Sequence, residues 1–228
     1  MLERMARGVV TFTFDDGYEA VYQNALPILE KYNFKGVFAI PLNFQKLEQT
    51  EGTKARPWMD WLEIKNRGHE VAAHSVNHVN LTELSTEKLD QELKEPQEKL
   101  QATTLVYPGG AFNDAASEAA RKYYSAARTV KRGFESLPPQ NPMQLRSYNW
   151  TRHNFSAAKA NLLALWAYLT NSWLIETFHM VSDSDIRLVH TVREVDLDKH
   201  LKFVAKLPVT VKTIHEAISG HYHQERGG

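Results

Sequence analysis

Two adjacent aspartates, Asp15 and Asp16, follow directly on a run of apolar residues near the start of the chain. The run, residues 9–14, has the β-branched and aromatic composition of a strand, so both carboxylates are predicted to stand at a strand end. Gly17 comes next, and Asp-Gly is also an ordinary turn signal. Because neighbouring carboxylates repel each other unless a cation or a shared proton relieves them, the pair is a candidate for chemistry as well as for a turn.

Two histidines farther along the chain, His74 and His78, form a second candidate group. Residues 71–73 have the composition of a short strand, so His74 also stands just beyond a strand end. The four-residue spacing places both imidazoles on one face of a helical turn, where they can reach one metal ion. With one carboxylate of the aspartate pair they make a His, His, Asp set that leaves room for water. That composition is typical of a catalytic rather than a closed structural metal site.

The two motifs together resemble the opening signature of the polysaccharide deacetylases, the NodB-homology group of carbohydrate esterase family 4. The resemblance extends from about residue 9 to about residue 218. The motifs are Thr13-Phe14-Asp15-Asp16-Gly17 and His74-Ser75-Val76-Asn77-His78. The resemblance implies that Asp15 is the general base. It also implies that the metal ion, most often zinc and otherwise another divalent transition metal, is held by Asp16, His74 and His78.

A Pro-Gly turn, Pro108-Gly109, follows the fourth predicted strand. An exposed backbone N–H beside a metal can stabilise a developing oxyanion, which gives this turn a functional interpretation too. The resemblance implies that the amide of Gly109 has this role. We expect Tyr107 and Pro108 to border the bound substrate.

Two positions depart from the family pattern. The arginine of the third motif, which steadies the general base, is replaced by Val106. Asp15 must therefore find another partner or work less restrained, and Arg128 and Arg146 are both candidates. The acid of the fourth motif, which orients the catalytic histidine, is missing, and Asn149 is at best a neutral substitute.

A proton donor and a substrate groove remain to be assigned. A histidine after a strand is often an ordinary hydrogen-bonded group, but the last motif of the family is an apolar strand that ends in histidine. The resemblance thus implies that His179 protonates the leaving amine. His190 has a similar setting and is the rival assignment. Trp150 either lines a groove for an acetyl methyl or a sugar face, or is an ordinary core residue.

Short apolar runs alternate with helical patterns along the chain, which predicts a mostly parallel sheet covered by helices. Barrel closure is favoured at this strand number, so we expect an α/β fold, a distorted (β/α) barrel with about seven parallel strands. The predicted strands are residues 9–14, 36–40, 71–73, 104–107, 125–129, 173–178 and 209–211. The predicted helices are residues 19–32, 58–67, 86–100, 115–124, 157–169, 197–207 and 214–218. The candidate site residues follow different strands, at the end that is the catalytic face of a barrel.

Composition narrows the class of protein. The 228 residues suffice for one substantial core and no linker or repeat divides them, so a single domain over residues 1–228 is expected. Lys plus Arg and Asp plus Glu number 27 each, which favours neither nucleic acid nor an anionic membrane as partner. Since cysteine is absent, a metal must be bound by nitrogen and oxygen donors.

The sequence contains no apolar run near the roughly 18 residues of a membrane span. Its charged start, residues 1–7, lacks the apolar centre of a signal peptide. We therefore expect either a cytoplasmic protein or one whose leader was removed before this numbering begins. The sequence does not indicate the oligomeric state.

These observations predict a metal-dependent hydrolase that removes N-acetyl groups from N-acetylhexosamine units of poly- or oligosaccharides. The expected partner is an acetylated carbohydrate, whose polymer and chain length the sequence does not specify. Two alternatives stay open. One is a carbohydrate-binding protein on a decayed deacetylase barrel, and the other is a deacetylase acting on O-acetyl esters or other linear amides.

Overall fold

A computed structural model describes residues 7–222 of the chain. Residues 1–6, on which most of the expectation about a leader rests, and residues 223–228 lie outside the described part. In the span from 7 to 222, no helix has both the length and the apolar character needed to cross a membrane.

A curled parallel sheet forms the centre of the fold. The strands are β1 (Val9–Asp15), β2 (Gly36–Ile40), β3 (Glu70–Ala73), β4 (Thr104–Val106), β5 (Ala126–Arg128), β6 (Tyr148–Asn149), β7 (Trp173–Phe178), β8 (Met180–Val181), β9 (Thr191–Val192) and β10 (Thr210–Val211). Seven of them pair in the order β5-β4-β3-β2-β1-β7-β6, and β10 pairs with the first residues of β1. β8 and β9 form a separate parallel pair. The prediction of about seven parallel strands is therefore confirmed.

The two edges of the sheet are linked by one short extended segment. The N–H of Leu145 donates to the carbonyl of Ala127 in β5, and the N–H of Thr129 donates to the carbonyl of Leu145. Three residues after Leu145 the same segment becomes β6, which pairs with β7. The sheet thus curls into a half-barrel whose edges this segment joins, and the expected distorted barrel is confirmed.

Helices pack against the sheet, most of them on its outer face. They are α1 (Leu26–Lys31), α2 (Gln45–Glu51), α3 (Trp58–Trp61), α4 (Thr86–Leu100), α5 (Asp114–Ala120), α6 (Ala157–Thr170), α7 (Glu194–Val204) and α8 (Ile214–Tyr222). A π-helical turn precedes α1 and a 3₁₀ turn continues α3, so the predicted helices 19–32 and 58–67 are each divided. No helix was predicted over α2, because Leu47 is its only buried side chain and no periodic apolar face marks it.

Alternate residues of each strand face opposite sides of the sheet. On the outer side, Phe12, Phe14 and Phe38 belong to the large core that includes the covering helices. On the inner side, a smaller apolar cluster contains strand residues such as Val37 together with residues of α8. Asp15 continues the inner series of β1, so the strand delivers its carboxylate to the interior of the curled sheet.

Candidate active site

Most of the predicted site residues meet in one cavity of about 250 Å³ at the carboxyl ends of the strands. The predicted residues that line it are Asp15, Asp16, His74, His78, Tyr107, Gly109, Asn149, His179 and His190. Pro108 and Trp150 do not line this cavity. Five different strands, β1, β3, β4, β6 and β7, therefore deliver side chains or backbone to one place.

The turn after β1 places the two aspartates differently. Asp15 is the last residue of β1, whereas Asp16 has a φ of 72° and Gly17 a φ of 65°. Left-handed backbone is uncommon outside glycine, although Asp tolerates it better than most residues. The two neighbouring carboxylates consequently have separate partners, Asp15 in the barrel interior and Asp16 beside the histidines.

The loop that carries His74 and His78 is not helical, so the expected helical turn is wrong. Residues 74–80 contain neither helix nor strand, and φ is 49° at His78. Glu92, a buried carboxylate of α4, holds this loop by accepting the N–H groups of Val76 at 2.8 Å and Asn77 at 3.0 Å. Sequence reasoning missed this role of Glu92, although an acid beside Leu89 and Leu93 on a core-facing helix was a usable signal.

The side chains of Asp16, His74 and His78 lie close together. Asp16 Oδ1 lies 3.3 Å from His74 Nε2 and 3.2 Å from His78 Nε2, and the three ligand atoms lie within 4.8 Å of one another. Nδ1–H of His74 donates to the carbonyl of Val106 at 2.7 Å, which leaves Nε2 as the nitrogen with a free lone pair. Asp16 Oδ1 is buried and has no hydrogen-bond donor within residues 7–222. This donor set fits a divalent transition metal.

The protonation of these groups follows from their mutual attraction. Burial alone would raise the pKa of Asp16, but the contacts with His74 and His78 hold that pKa well below its usual range. Burial would likewise lower the pKa of His78, yet its contact with Asp16 raises that pKa above the ordinary histidine value. The surrounding side chains thus keep the carboxylate of Asp16 anionic, which is the form in which a carboxylate binds a metal ion.

Asp15 finds its partner on β5. Of the two candidate arginines, Arg128 makes the ion pair, through Nη2 to Asp15 Oδ2, and both side chains are buried. Arg146 instead donates from Nε to Glu135 at 2.9 Å. In the parallel register Arg128 stands directly beside Val106, the position at which the family pattern has arginine. The guanidinium is therefore supplied from the neighbouring strand.

His179 and His190 lie together on the wall of the cavity. Their ring centroids are 4.9 Å apart, and His179 Nε2 is 3.8 Å from Asp15 Oδ2. Burial lowers the pKa of His179 by more than the nearby Asp15 and Asp16 raise it. His190 precedes β9 rather than following a strand, which differs from the expected setting, whereas His179 follows β7 as predicted.

Two buried polar atoms beside the end of β7 have no hydrogen-bond partner in the described part of the chain. They are Nδ1 of His179 and Oδ1 of Asn149. Asn149 lines the cavity beside His179 but does not orient its ring through a hydrogen bond. The neutral amide of Asn149, the substitute expected from the sequence, thus makes no hydrogen bond to the His179 ring through its Oδ1.

Two glycines shape the turn after β4. Gly109 and Gly110 have φ values of 60° and 72°, and Gly110 N–H donates to the carbonyl of Tyr107 at 2.8 Å. A Cβ on Gly110 would lie 2.3 Å from a methyl group of Val130, whereas nothing lies within 4 Å of a Cβ placed on Gly109. The backbone at Gly109 therefore borders open space in the cavity.

Comparisons with known proteins agree with this architecture. The family model described as polysaccharide deacetylase matches residues 3–126, more than half of the chain. The chain is 28% identical over 135 residues to the provisionally named polysaccharide deacetylase YxkH of Bacillus subtilis, covering 56% of this chain and 46% of that protein. It is 27% identical over 120 residues to a peptidoglycan-N-acetylglucosamine deacetylase of Bacillus cereus, covering 50% and 52%. The chain thus spans about half the length of these curated relatives.

A solved structure shares the fold over nearly the whole chain. It is the Xyl-CE4 domain of a multidomain xylanase from the hindgut metagenome of Trinervitermes trinervoides, with a TM-score of 0.64 and 16% identity. The superposition covers 95% of this chain and 92% of that one. The family resemblance read from the two sequence motifs is confirmed by these matches.

We predict that the purified protein binds about one divalent transition metal ion per chain, because two imidazoles and one carboxylate converge on one point. His78→Ala should lose most of this ion while keeping the folded circular-dichroism spectrum. The measurement is metal content by mass spectrometry after dialysis against zinc. His153→Ala, which removes an exposed histidine outside the cavity, is the control. Full metal occupancy in His78→Ala would exclude His78 as a ligand.

We predict that Arg128→Met lowers the free energy of unfolding by about 3–5 kcal/mol, because it leaves Asp15 as an unpaired buried charge. In the Asp15→Asn background the same change should lower the free energy of unfolding by less, since no carboxylate is then left buried without its partner. Urea denaturation of the two single variants and the double variant measures this coupling. Arg187→Met, which removes the exposed partner of Asp185, is the control and should change stability little. Strictly additive losses would mean that the two side chains do not depend on each other.

Proposed function

The chain belongs to the polysaccharide deacetylase family, and from that premise we propose that it is a metal-dependent hydrolase. Its reaction is the removal of N-acetyl groups from N-acetylhexosamine units of a poly- or oligosaccharide. One observation carries the proposal: a complete Asp, His, His set and a separate buried carboxylate share one cavity. A site that only held a metal for structure would need no second carboxylate beside it.

The residues that would hold the ion are Asp16, His74 and His78, and zinc is the ion that this donor set suits best. When bound, such an ion supplies Lewis-acid polarisation of the acetyl carbonyl and makes the attacking water easier to deprotonate. His74 is oriented for this by its hydrogen bond to Val106, and His78 by the loop that Glu92 fixes.

Asp15 is the proposed general base. Its Oδ2 is engaged by Arg128, whereas its Oδ1 has no partner among residues 7–222 and is available to accept a proton. The buried guanidinium holds the carboxylate in one orientation, which a base must keep while water attacks. Arg128 is thus proposed as a positioning residue, in place of the arginine that the third motif lacks.

Two further roles are proposed, a hydrogen-bond donor to the oxyanion and a general acid. The Gly109 amide borders the open part of the cavity, where it can donate to the oxygen of the tetrahedral intermediate. His179 is the proposed acid that protonates the departing nitrogen, because amines leave only after they gain a proton. His179 lies near Asp15 in the same cavity, so the base and the acid can act on one acetamido group.

One argument for the alternative, a carbohydrate-binding protein on a decayed barrel, was the replacement of the third-motif arginine by Val106. This argument is weakened because Arg128 provides a guanidinium for Asp15 from the neighbouring strand. Deacetylation of O-acetyl esters or other linear amides would use the same residues. Acetate release from N-acetylglucosamine oligomers, peptidoglycan fragments and acetylated xylan separates these alternatives. No acetate from any of the three by the zinc-loaded protein would refute the proposed hydrolase.

Asp15→Asn keeps the size of the side chain but removes its ability to accept a proton. We predict that it retains the metal while turnover falls by about 10²-fold or more. Acetate release and metal content should be measured on the same preparation. Asp16→Asn is the matched control, and should lose metal and activity together. If Asp15→Asn lost the metal and Asp16→Asn kept it, the two roles would have to be exchanged.

His179→Ala should depress amide hydrolysis strongly without loss of metal, and the defect should shrink on an activated acetyl ester, whose leaving group needs no proton. Because burial lowers the pKa of His179, wild-type activity on the amide should decline on the alkaline side from a pH below that of an exposed histidine. His190→Ala, which alters the ring packed against His179, is the matched control and should do much less. A larger loss in His190→Ala would transfer the role to His190.

A further inference from the structure

A second cavity, of about 240 Å³, lies beside the active-site cavity and shares two lining residues with it, Val130 and Asn149. The segment after β5, the strand β6 with Trp150, and the first turns of α6 form its walls. A chain of sugars whose acetamido group is in the first cavity therefore has space for a neighbouring unit in the second.

Two aromatic side chains form part of the wall of this neighbouring cavity, and one of them is anchored by a hydrogen bond. Tyr148 is half-buried and leaves part of its ring exposed, whereas Trp150 is only 2% exposed. The indole Nε1–H of Trp150 donates to Glu176 at 2.8 Å, and the other oxygen of Glu176 lies 2.7 Å from His200 Nε2. The exposed part of the Tyr148 ring is therefore the aromatic surface against which the apolar face of a sugar ring can pack.

Two cations stand over these rings. The guanidinium carbon of Arg132 lies 5.1 Å from the ring centroid of Tyr148, and Lys159 Nζ lies 5.6 Å from that of Trp150. Both side chains line the cavity, and no Asp or Glu does. Within residues 7–222, neither cation is within 4.0 Å of a carboxylate.

The acidic and basic side chains are distributed unequally between the two cavities. The active-site cavity is lined by three acids, Asp15, Asp16 and Glu51. Its neighbour is lined by two cations, Arg132 and Lys159, and by the uncharged polar residues Ser147, Asn149 and Asn154. Lys159 Nζ donates one hydrogen bond to the backbone carbonyl of Asn154 at 3.1 Å, which leaves its other N–H groups for an anion. Two like charges facing one space repel each other, and an anion placed between them removes that repulsion while accepting hydrogen bonds from both.

We propose that the second cavity is a subsite for a carboxylate-bearing sugar unit next to the N-acetylhexosamine that is deacetylated. Arg132 and Lys159 bind the carboxylate, and Tyr148 contacts the ring that carries it. This inference rests on the proposed function, since it assigns the substrate class of the same site. It makes the enzyme selective for acidic over neutral glycans.

Measurements of binding test the proposed subsite, and measurements of acetate release test the proposed function separately. The probes are a tetrasaccharide of peptidoglycan glycan strands freed of peptide, which carries lactyl carboxylates, its methyl ester, and a neutral N-acetylglucosamine tetramer. Calorimetry on Asp15→Asn, which should not consume the ligand, is expected to give about tenfold tighter binding of the acid than of its methyl ester. The difference should diminish as salt rises, because exposed charges are screened.

The variant Arg132→Gln/Lys159→Gln should abolish this preference and leave binding of the neutral tetramer unchanged. Arg121→Gln/Lys122→Gln removes the same charge from residues that line neither cavity and is the control. Equal affinity of Asp15→Asn for the acid and its methyl ester would overturn the subsite, as would a preference that survives in Arg132→Gln/Lys159→Gln. Absence of acetate release from all three probes by the zinc-loaded wild-type protein would instead refute the proposed function, whatever the calorimetry gives.

Discussion

The ion pair between Asp15 and Arg128 is the interaction on which the active end of the barrel depends. In the order of the sheet, β1 and β5 are four strand spacings apart, which in a flat sheet is about 19 Å. The two side chains meet only because the sheet curls and both point to its inner face. Since an isolated buried charge costs several kcal/mol, any opening of the curl that separated the pair would be resisted electrostatically as well as by the apolar cores.

The register of β4 and β5 explains how Asp15 has a guanidinium partner although position 106 is a valine. Val106 and Arg128 are neighbours in register on adjacent parallel strands, so their side chains leave the same face of the sheet. A guanidinium on either strand therefore enters the interior toward the end of β1. Val106 keeps a part in the site through its backbone, because its carbonyl accepts the Nδ1–H of His74 and fixes the ring.

Much of this arrangement was predictable, because the residue at which a strand ends can be recognised from the local sequence alone. The periodicity placed Asp15, His74 and His179 after separate strands, and barrel geometry then requires those ends to meet. The choice between Arg128 and Arg146 was not predictable, since it depends on which residues share the barrel interior. The conformation of the loop of His74 and His78 was predicted wrongly, because a carboxylate of α4 rather than local propensity holds it. The short segments α2 and β6 gave no periodic signal at all.

The neutral side chain of Asn149 beside His179 has a definable chemical consequence. A carboxylate hydrogen-bonded to His179 would stabilise the imidazolium and raise its pKa, whereas the amide at Asn149 does neither and His179 Nδ1 has no partner in the described chain. Burial then dominates, and it lowers the pKa of His179. In the role that we propose, His179 is a stronger acid but is protonated in a smaller fraction of molecules at neutral pH. Protonated His179 then transfers its proton to the amine more readily, and the pH range in which most of the enzyme carries that proton shifts downward.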